Sequence, residues 1–343
     1  SDDKNIIAAN EGNAVAIAAG YHLATGKTGL VYMQNSGIGN AVNPLVSLAD
    51  KHVYSIPMIL LIGWRGEPGI KDEPQHIKQG MITTQILDTL GINYEILSKE
   101  IDHARFQINK ARVKAEKDNA PFALIARTDS FEKYEMKKKV TCSCTLIREE
   151  VLEYILKNLN SGEIVVSTTG KTSREIYEIR ERNGEGHEKD FLVVGSMGHA
   201  SSIALGMNLA LRGRKIVCID GDGAFIMHMG AVAVIASHSR GNFKYIVINN
   251  GSHESVGGQP TVGFDIDMPG IASAAGFRKC YRAKDRVELE RHFVDFIGSN
   301  DNAFLEIRVR PGSRADLGRP KNTPEENKKM FMSYIRESGQ EVT

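Results

Sequence analysis

The chain has 343 residues, of which 41% are hydrophobic and 25% charged, and its formal net charge is +1 at pH 7. This composition is ordinary for a soluble globular protein, and the length suffices for two domains. Because the charges balance and no apolar run approaches the ~20 residues that span a bilayer, we expect neither a nucleic-acid partner nor a membrane partner.

The cysteines and the basic residues favour no special chemistry. The four cysteines are Cys142, Cys144, Cys218 and Cys280. They form no CxxC pair and have no histidine partner at zinc-site spacing, and no signal peptide precedes the first motif, so we expect free thiols in a reducing cytoplasm. The basic run at 137–139 lacks interleaved aromatic residues and is interpreted as a solvated linker.

The first half of the chain predicts a doubly wound α/β domain. A short strand at 6–9 is followed by small and apolar residues at helical spacing over 14–23. Further apolar strands are predicted at 29–33, 57–62 and 122–126. Alternating strands and helices are typical of a parallel sheet covered by helices. We predict a first domain over 1–128 and a charged linker over 129–145.

Four charged side chains of this half are candidates for function. Glu11 lies at or just before the first turn of the first helix, where a carboxylate complements the helix dipole, and the pattern alone favours that structural role. A long loop rich in Gly, Pro and charged residues is predicted over 63–76, and such loops are often functional. Its candidates for contacts with an anion are Arg65, Lys71 and His76. Solvated loop charges are the alternative interpretation.

The second half predicts another domain of the same class. An amphipathic helix over 146–159 opens it, and a second helix is predicted near 268–275. The predicted strands lie at 163–167, 191–194, 215–220, 245–248 and 304–309. We expect this domain to cover 146–310, and a tail without a core-forming pattern to cover 311–343.

Polar motifs follow two of these strands. Gly-Asp-Gly stands at 221–223 and Asn-Asn-Gly-Ser at 249–252. Because the carboxyl ends of parallel strands meet at one edge of a sheet, the Asp222 carboxylate, the Asn250 amide oxygen and a backbone carbonyl can form an all-oxygen site, which suits Mg²⁺ better than zinc. Asn249 replaces Asn250 if the register differs by one. Either motif alone is also compatible with an ordinary turn.

Two further motifs favour anionic ligands. Thr-Thr-Gly at 168–170 follows a strand and can donate hydroxyl and amide hydrogens to a phosphate, although the glycine spacing of a Walker motif is absent. In the tail, Arg314 and Arg319 flank Ala-Asp-Leu-Gly and form a candidate anion clamp, since guanidinium groups bind phosphonate or carboxylate oxygens bidentately. Exposed tail charges are the alternative.

Gly-Asp-Gly followed by Asn-Asn, at about the length of one helix-plus-strand unit, resembles the diphosphate and Mg²⁺ motif of thiamine-diphosphate enzymes. Asn-Glu-Gly-Asn-Ala-Val-Ala at 10–16 resembles their pyrimidine-binding domain. The resemblance implies that Glu11 hydrogen-bonds the aminopyrimidine ring and promotes deprotonation of the thiazolium carbon. It implies that Asp222, Asn250 and the Ser252 carbonyl bind Mg²⁺. The further cofactor contacts that it implies are Thr168, Thr169, Gly195, Ser196, Met197, Gly223 and Ala224.

The resemblance also implies an architecture: a pyrimidine domain and a diphosphate domain, both doubly wound, with no third domain between them. Pyrimidine domains of this family carry another strand-helix unit of about 30 residues before the glutamate, so we expect an amino-terminal segment to be missing. The two domains of this family face each other across subunits, which implies a homodimer or a higher oligomer with active sites between subunits.

Four stretches, at 33–40, 64–69, 255–261 and 312–320, are similar to phosphonopyruvate decarboxylases. This similarity implies decarboxylation of a small 2-oxoacid, 3-phosphonopyruvate, to phosphonoacetaldehyde and CO₂. The sulfopyruvate decarboxylases share much of the pattern and are the nearest alternative. A non-catalytic phosphate- or nucleotide-binding α/β module is the alternative from another class of protein.

Overall fold

The computed structural model describes residues 5–133 and 140–338, so the basic run at 137–139 lies outside the described residues. The chain divides into two compact units, Ser1–Met136 and Lys137–Thr343. The finer division into two domains, a linker and a tail stays a prediction.

The first unit is built on a parallel sheet. Its described part contains the strands β1 Gly29–Gln34, β2 Met58–Gly63, β3 Asn93–Ile96 and β4 Pro121–Ala126. Their order in the sheet is β1-β2-β4-β3. The helices are α1 Glu11–Thr25, α2 Ile38–Pro44, α3 Pro74–Thr89 and α4 Ile101–Asp118, with a 3₁₀ turn at Asn35–Gly37 and a π-helical turn at Leu45–Ala49. Strands β2 and β4 are central and largely buried, as expected for apolar runs in a parallel sheet.

Two details of this unit differ from the prediction. The predicted strand at 6–9 is wrong: residues 5–8 have no regular structure, and Ile6 and Ile7 are 63% and 41% exposed. A strand requires a neighbour for its N–H and C=O groups, and an apolar run does not reveal whether one is present. Strand β3 is not predicted from the sequence, because Asn-Tyr-Glu-Ile contains no apolar run.

The second unit is a larger parallel sheet. Its described strands are β5 Ile164–Ser167, β6 Asp190–Leu192, β7 Ile216–Gly221, β8 Phe243–Asn249, β9 Ser252–His253, β10 Gln259–Pro260, β11 Lys279–Ala283 and β12 Ala303–Arg308. Strands β9 and β10 form a separate antiparallel ribbon, and the main sheet has the order β11-β12-β8-β7-β5-β6. The helices are α5 Arg148–Lys157, α6 Lys171–Arg182, α7 Ala200–Ala210, α8 Asp222–Met227, α9 Ala231–His238, α10 Met268–Ala275, α11 Arg286–Gly298 and α12 Pro324–Glu337.

The order of the strands decides where a ligand can bind. The chain passes from β5 to β6 on one side and then returns to β7 on the other side of β5. In doubly wound sheets, ligands bind outside the carboxyl ends of the strands at the point where the winding reverses. The segments that follow β5 and β7 therefore lie at the expected binding position.

Part of the predicted tail is an ordered helix. Helix α12 begins with a capping box formed by Thr323 and Glu326. The ring of Phe331 on α12 packs edge-on against Phe191, with centroids 5.6 Å apart, and is 5% exposed. Asn327 donates to the Asp190 carbonyl at 3.0 Å. Residues beyond the last strand therefore contribute to the core of the second unit.

The cysteines differ in part from the expectation of free thiols. Cys142 and Cys144 form a disulfide with their Cα atoms 5.2 Å apart, which lies in the usual range. The prediction considered only CxxC spacing and therefore missed a pair two residues apart. Cys218 and Cys280 are free, and Cys218 is fully buried in β7. None of the described helices is both long and apolar enough to cross a membrane.

Candidate active site

The motifs at 221–223 and 249–252 are in contact. Asp222 begins α8 directly after β7, and only 2% of it is exposed. Its carboxylate accepts hydrogen bonds from the backbone N–H of Asn250 and from the hydroxyl of Thr261. The structure therefore brings Asp222 and Asn250 together, as predicted from the strand ends.

The surroundings of Asp222 fit a small hard cation. Burial raises the pKa of its carboxyl to about 6, although hydrogen bonds from Thr261 and from backbone N–H groups oppose the shift. A nearby cation would favour the ionised form. Within the described residues, no three His, Cys, Asp or Glu side chains group as a metal site. A cation here would therefore use Asp222 together with amide and carbonyl oxygens, which suits Mg²⁺.

The hydrogen bonds favour Asn250 over Asn249 as the amide ligand. Asn249 is fully buried, and its NH₂ group donates to the Gly263 carbonyl at 2.7 Å and to the Glu306 carboxylate at 2.8 Å. Its amide therefore holds the end of β8 in place. Each amide oxygen accepts one local bond among the contacts of the described residues, Asn249 from the Gly251 N–H at 3.1 Å and Asn250 from the Ser252 N–H at 3.0 Å, so the two residues differ in the long-range bonds of the Asn249 NH₂ group. The ligand role of either residue stays a prediction.

The turns after β5 and β6 are joined at the same edge. The Thr169 hydroxyl donates to the Val194 carbonyl at 2.5 Å, and the Thr168 N–H donates to the Ile219 carbonyl at 2.8 Å. Ser196 has a φ of 51°, a left-handed conformation that is uncommon outside glycine and is often found at functional sites. Gly195 and Met197 flank Ser196, so the predicted contacts at 168–169 and 195–197 belong to neighbouring loops.

Gly223 is closely approached by two side chains. A Cβ atom placed on Gly223 would lie 3.2 Å from the Met197 Cε and 2.7 Å from the His253 ring. A side chain at Gly223 would displace the His253 ring, and Met197 lies beside the Asp222 turn, with Ala224 buried next in α8. His253 and Thr261 are absent from the predicted set. The adjacency of His253 to the Asn-Asn-Gly-Ser motif is the only sequence signal for it.

Glu11, in the first unit, is held more firmly than a solvated helix-end charge. It is the first residue of α1, and its Oε2 accepts a hydrogen bond from the Asn40 Nδ2 at 2.8 Å. A Cβ atom on Gly37 would overlap the Glu11 carboxylate, so the glycine of the loop after β1 makes room for this side chain. The catalytic role of Glu11 stays a prediction.

Comparison with known proteins assigns both units. Residues 2–90 match the family described as thiamine pyrophosphate enzyme, N-terminal TPP binding domain, and residues 168–307 match thiamine pyrophosphate enzyme, C-terminal TPP binding domain. The phosphonopyruvate decarboxylases of Streptomyces viridochromogenes and Streptomyces hygroscopicus are each 33% identical over 342 residues, covering 95% of this chain and 83% of theirs. The chain belongs to the thiamine pyrophosphate enzyme family.

A sulfopyruvate decarboxylase from Methanosarcina acetivorans is also similar, with 29% identity over 350 residues, covering 95% of this chain and 86% of that protein. Membership of the thiamine pyrophosphate enzymes confirms the predicted fold class, the thiamine diphosphate cofactor and the expectation of a thiamine-diphosphate-dependent 2-oxoacid decarboxylase. The described residues form two units and no third domain.

Two of the predicted anion-binding residues, Arg65 and His76, contact the same carboxylate. Arg65 binds Asp72 through Nη2 at 2.5 Å and Nε at 2.8 Å, and the His76 Nδ1 lies 3.0 Å from the same carboxylate. The Arg65 guanidinium lowers the pKa of the Asp72 carboxyl well below its usual range. The predicted loop ends earlier than expected, because Pro74 begins α3 and places His76 in its first turn. Lys71 is exposed on the same loop.

Arg314 has partners that argue against an anion clamp. Its guanidinium contacts the Glu149 carboxylate at 3.0 Å, the Asp316 carboxylate at 3.2 Å and, more closely, Glu178. Three carboxylates already surround one positive charge, so an added anion would be repelled. Arg319, the other predicted member of the clamp, is exposed. The anion role of Arg314 stays a prediction that these contacts make less favourable, and the anion role of Arg319 stays a prediction.

A buried ion-pair network supports the loop that carries Ser252 and His253. Arg148 is 5% exposed and binds Glu175 at 2.7 and 2.8 Å and Glu254 at 2.5 Å. Glu254 directly follows β9 and also accepts a hydrogen bond from the Gly312 N–H. The network thus ties the first helix of the second unit to α6 and to the loop at 254.

We predict that Arg148→Ala lowers the free energy of unfolding by about 3–5 kcal/mol, because Glu175 is 1% exposed and would be left as an unpaired buried charge. Urea unfolding followed by circular dichroism measures the change. Arg112→Ala is the matched control: Arg112 pairs with Glu116 on an exposed helix face, and its loss should cost less than about 1 kcal/mol. Equal effects of the two substitutions would contradict the prediction.

Proposed function

We propose that this chain decarboxylates 3-phosphonopyruvate to phosphonoacetaldehyde and CO₂, as a step of phosphonate biosynthesis, with thiamine diphosphate and Mg²⁺ bound. The observation that carries the proposal is the 33% identity over 342 residues to the two relatives named phosphonopyruvate decarboxylase. The relative named sulfopyruvate decarboxylase is 29% identical over 350 residues, so sulfopyruvate is the second candidate substrate.

The residues at the sheet edge of the second unit support a diphosphate and metal site. Thiamine diphosphate, when bound, supplies the electron sink for decarboxylation. We assign the Asp222 carboxylate, the Asn250 amide oxygen and the Ser252 carbonyl to Mg²⁺, which would hold the diphosphate. We also assign Gly223 and Ala224, which follow Asp222 in the same turn, to contacts with the diphosphate. In the first unit we assign Glu11 to the pyrimidine ring.

The choice between the two substrates depends on the distal anion. A phosphonate can carry two negative charges near neutral pH and a sulfonate only one, so a pocket selective for phosphonate should gather more than one cationic group. The loop that contains these candidates supports this arrangement: Arg65 and His76 pair with one carboxylate, Asp72, and Lys71 is exposed.

The decisive experiment measures CO₂ release from phosphonopyruvate and from sulfopyruvate, with and without added thiamine diphosphate and Mg²⁺. We expect cofactor-dependent release and a higher kcat/KM for phosphonopyruvate. A higher kcat/KM for sulfopyruvate would replace the proposed substrate by the second candidate. Cofactor binding without CO₂ release from either compound would favour a non-catalytic binding module.

We predict that neutralising at least one of five basic residues raises the KM for phosphonopyruvate about ten- to a hundredfold. A charge-assisted hydrogen bond to a phosphonate oxygen is worth roughly 1.5–3 kcal/mol. The five are Arg65, Lys71, His76, Arg314 and Arg319, each changed to glutamine. Slow decarboxylation of pyruvate, which lacks the distal anion, should be nearly unaffected.

Steady-state kinetics on both substrates tests this prediction, with Arg112→Gln on the exposed face of α4 as the control. Given the partners of Arg314, we expect the effect in the loop at 65–76 and not in the tail. Equal losses on phosphonopyruvate and pyruvate for all five variants would place the specificity residues elsewhere.

We also propose that the enzyme is a homodimer or a higher oligomer, with active sites between subunits, in the cytoplasm. Leu30 and Tyr32 on the edge strand β1 are 65% and 66% exposed and provide apolar surface of the kind that subunit interfaces cover. Sedimentation at the concentrations of the activity assay tests the assembly, and a fully active monomer would contradict it.

A further inference from the structure

His253 lies beside Gly223 of the proposed diphosphate site and has no assigned role. It is the second residue of β9, and its backbone pairs with Gln259 in the antiparallel ribbon. Its carbonyl also accepts a hydrogen bond from the Gly258 N–H at 3.0 Å, so hydrogen bonds fix the backbone at this residue. The direction of the side chain is therefore set by the ribbon and not by a free loop.

The His253 ring is placed against the turn that would carry the diphosphate. A Cβ atom on Gly223 would lie 2.7 Å from both the Nδ1 and the Cε1 of the ring, and 3.2 Å from the Met197 Cε. The same turn carries Asp222 and its contact with Asn250. A half-buried imidazole thus lies beside the turn that would carry the diphosphate.

Within residues 5–133 and 140–338, the His253 ring makes no hydrogen bond. An imidazole carries at least one N–H donor whichever nitrogen holds the proton. A ring that served only to fill space beside Met197 could as well be apolar, whereas a half-buried donor without a partner gains from an acceptor brought by a ligand.

We propose that His253 is a binding residue of the diphosphate site, with its imidazole N–H donating to an oxygen of the anionic group held beside Gly223. This inference rests on the proposed function. It adds a side-chain hydrogen-bond donor to the backbone and metal contacts, and it explains why a polar ring packs against Gly223.

The experiment measures binding by titration calorimetry, using two probes in the presence of Mg²⁺: thiamine diphosphate and inorganic diphosphate. His253→Phe keeps the ring and removes the donor, and His253→Gln keeps a donor. We expect His253→Phe to weaken both probes about tenfold, which corresponds to about 1.4 kcal/mol, and His253→Gln to stay within about threefold of wild type. His238→Gln is the control, since His238 is exposed on α9 and bonds only the Val234 carbonyl among the described contacts.

Three results would overturn the inference: an unchanged affinity of His253→Phe, a loss confined to thiamine diphosphate with inorganic diphosphate unaffected, or no binding of either probe by the wild type. If circular dichroism shows that His253→Phe is unfolded, His253→Ala takes its place with the same expected loss. The readout is binding and not turnover. A wild type that binds both probes but releases no CO₂ would contradict the proposed function and leave the role of His253 supported.

Discussion

We expect Asp222→Ala to abolish Mg²⁺-dependent binding of thiamine diphosphate while the second unit stays folded. Of the three proposed ligands, only the Asp222 carboxylate carries a negative charge, so its loss removes the main attraction for the cation. The fold should survive, because the substitution also removes the cost of burying a carboxylate whose pKa is raised to about 6.

The measurement is calorimetric titration of thiamine diphosphate with and without Mg²⁺, with circular dichroism to check the fold. Asp265→Ala is the control, because Asp265 is an exposed carboxylate of the segment that also carries Thr261. Wild-type affinity in the Asp222→Ala protein would refute the metal assignment. An Asn250→Ala variant should lose affinity as well, and a loss confined to Asn249→Ala would move the ligand by one residue.

Glu11→Gln lowers turnover by about 10²–10⁴-fold with the cofactor still bound, if Glu11 promotes proton loss from the thiazolium carbon. Glutamine keeps an oxygen that can accept from Asn40 and fits the same space beside Gly37, so the geometry around α1 should persist. Exchange of the C2 proton of bound thiamine diphosphate, followed by NMR, should slow together with turnover.

The alternative is that Glu11 only complements the dipole of α1, which would cost less than about 1 kcal/mol of stability and little activity. Asp102→Asn is the matched control, since Asp102 also lies in the first turn of a helix and is largely exposed. Unchanged C2 exchange in Glu11→Gln would rule out the catalytic role.

The sequence by itself determined the class of the fold and the main strands of both sheets. Buried parallel strands consist of continuous β-branched and apolar residues, so β2, β4, β7 and β8 are visible as local runs. Polar residues at the ends of such runs are local too, and for this reason the sequence predicts that Asp222 and Asn250 lie together. The family resemblance rests on the same short motifs.

The edge strands and one isolated segment are not predicted correctly from the sequence. Strands β3 and β11 contain polar residues, because an edge strand is covered less completely than a central one, and their sequences do not differ clearly from loops. The segment at 6–9 shows the opposite error, since apolar residues there have no neighbouring strand. The hydrophobic pattern of a segment indicates which side chains it can bury, and it does not indicate whether a neighbouring strand is present to pair with it.

The side chains that surround the predicted motifs are known only from the folded structure. The hydroxyl of Thr261 reaches Asp222 across 39 residues, and Arg148 reaches Glu254 across 106. In the folded structure Asn249 holds the end of β8, Arg314 contacts three carboxylates, and the His253 ring lies beside Gly223. These contacts join loops at the ends of different strands. Their partners follow from the order of strands in the sheet, which no spacing along the chain encodes.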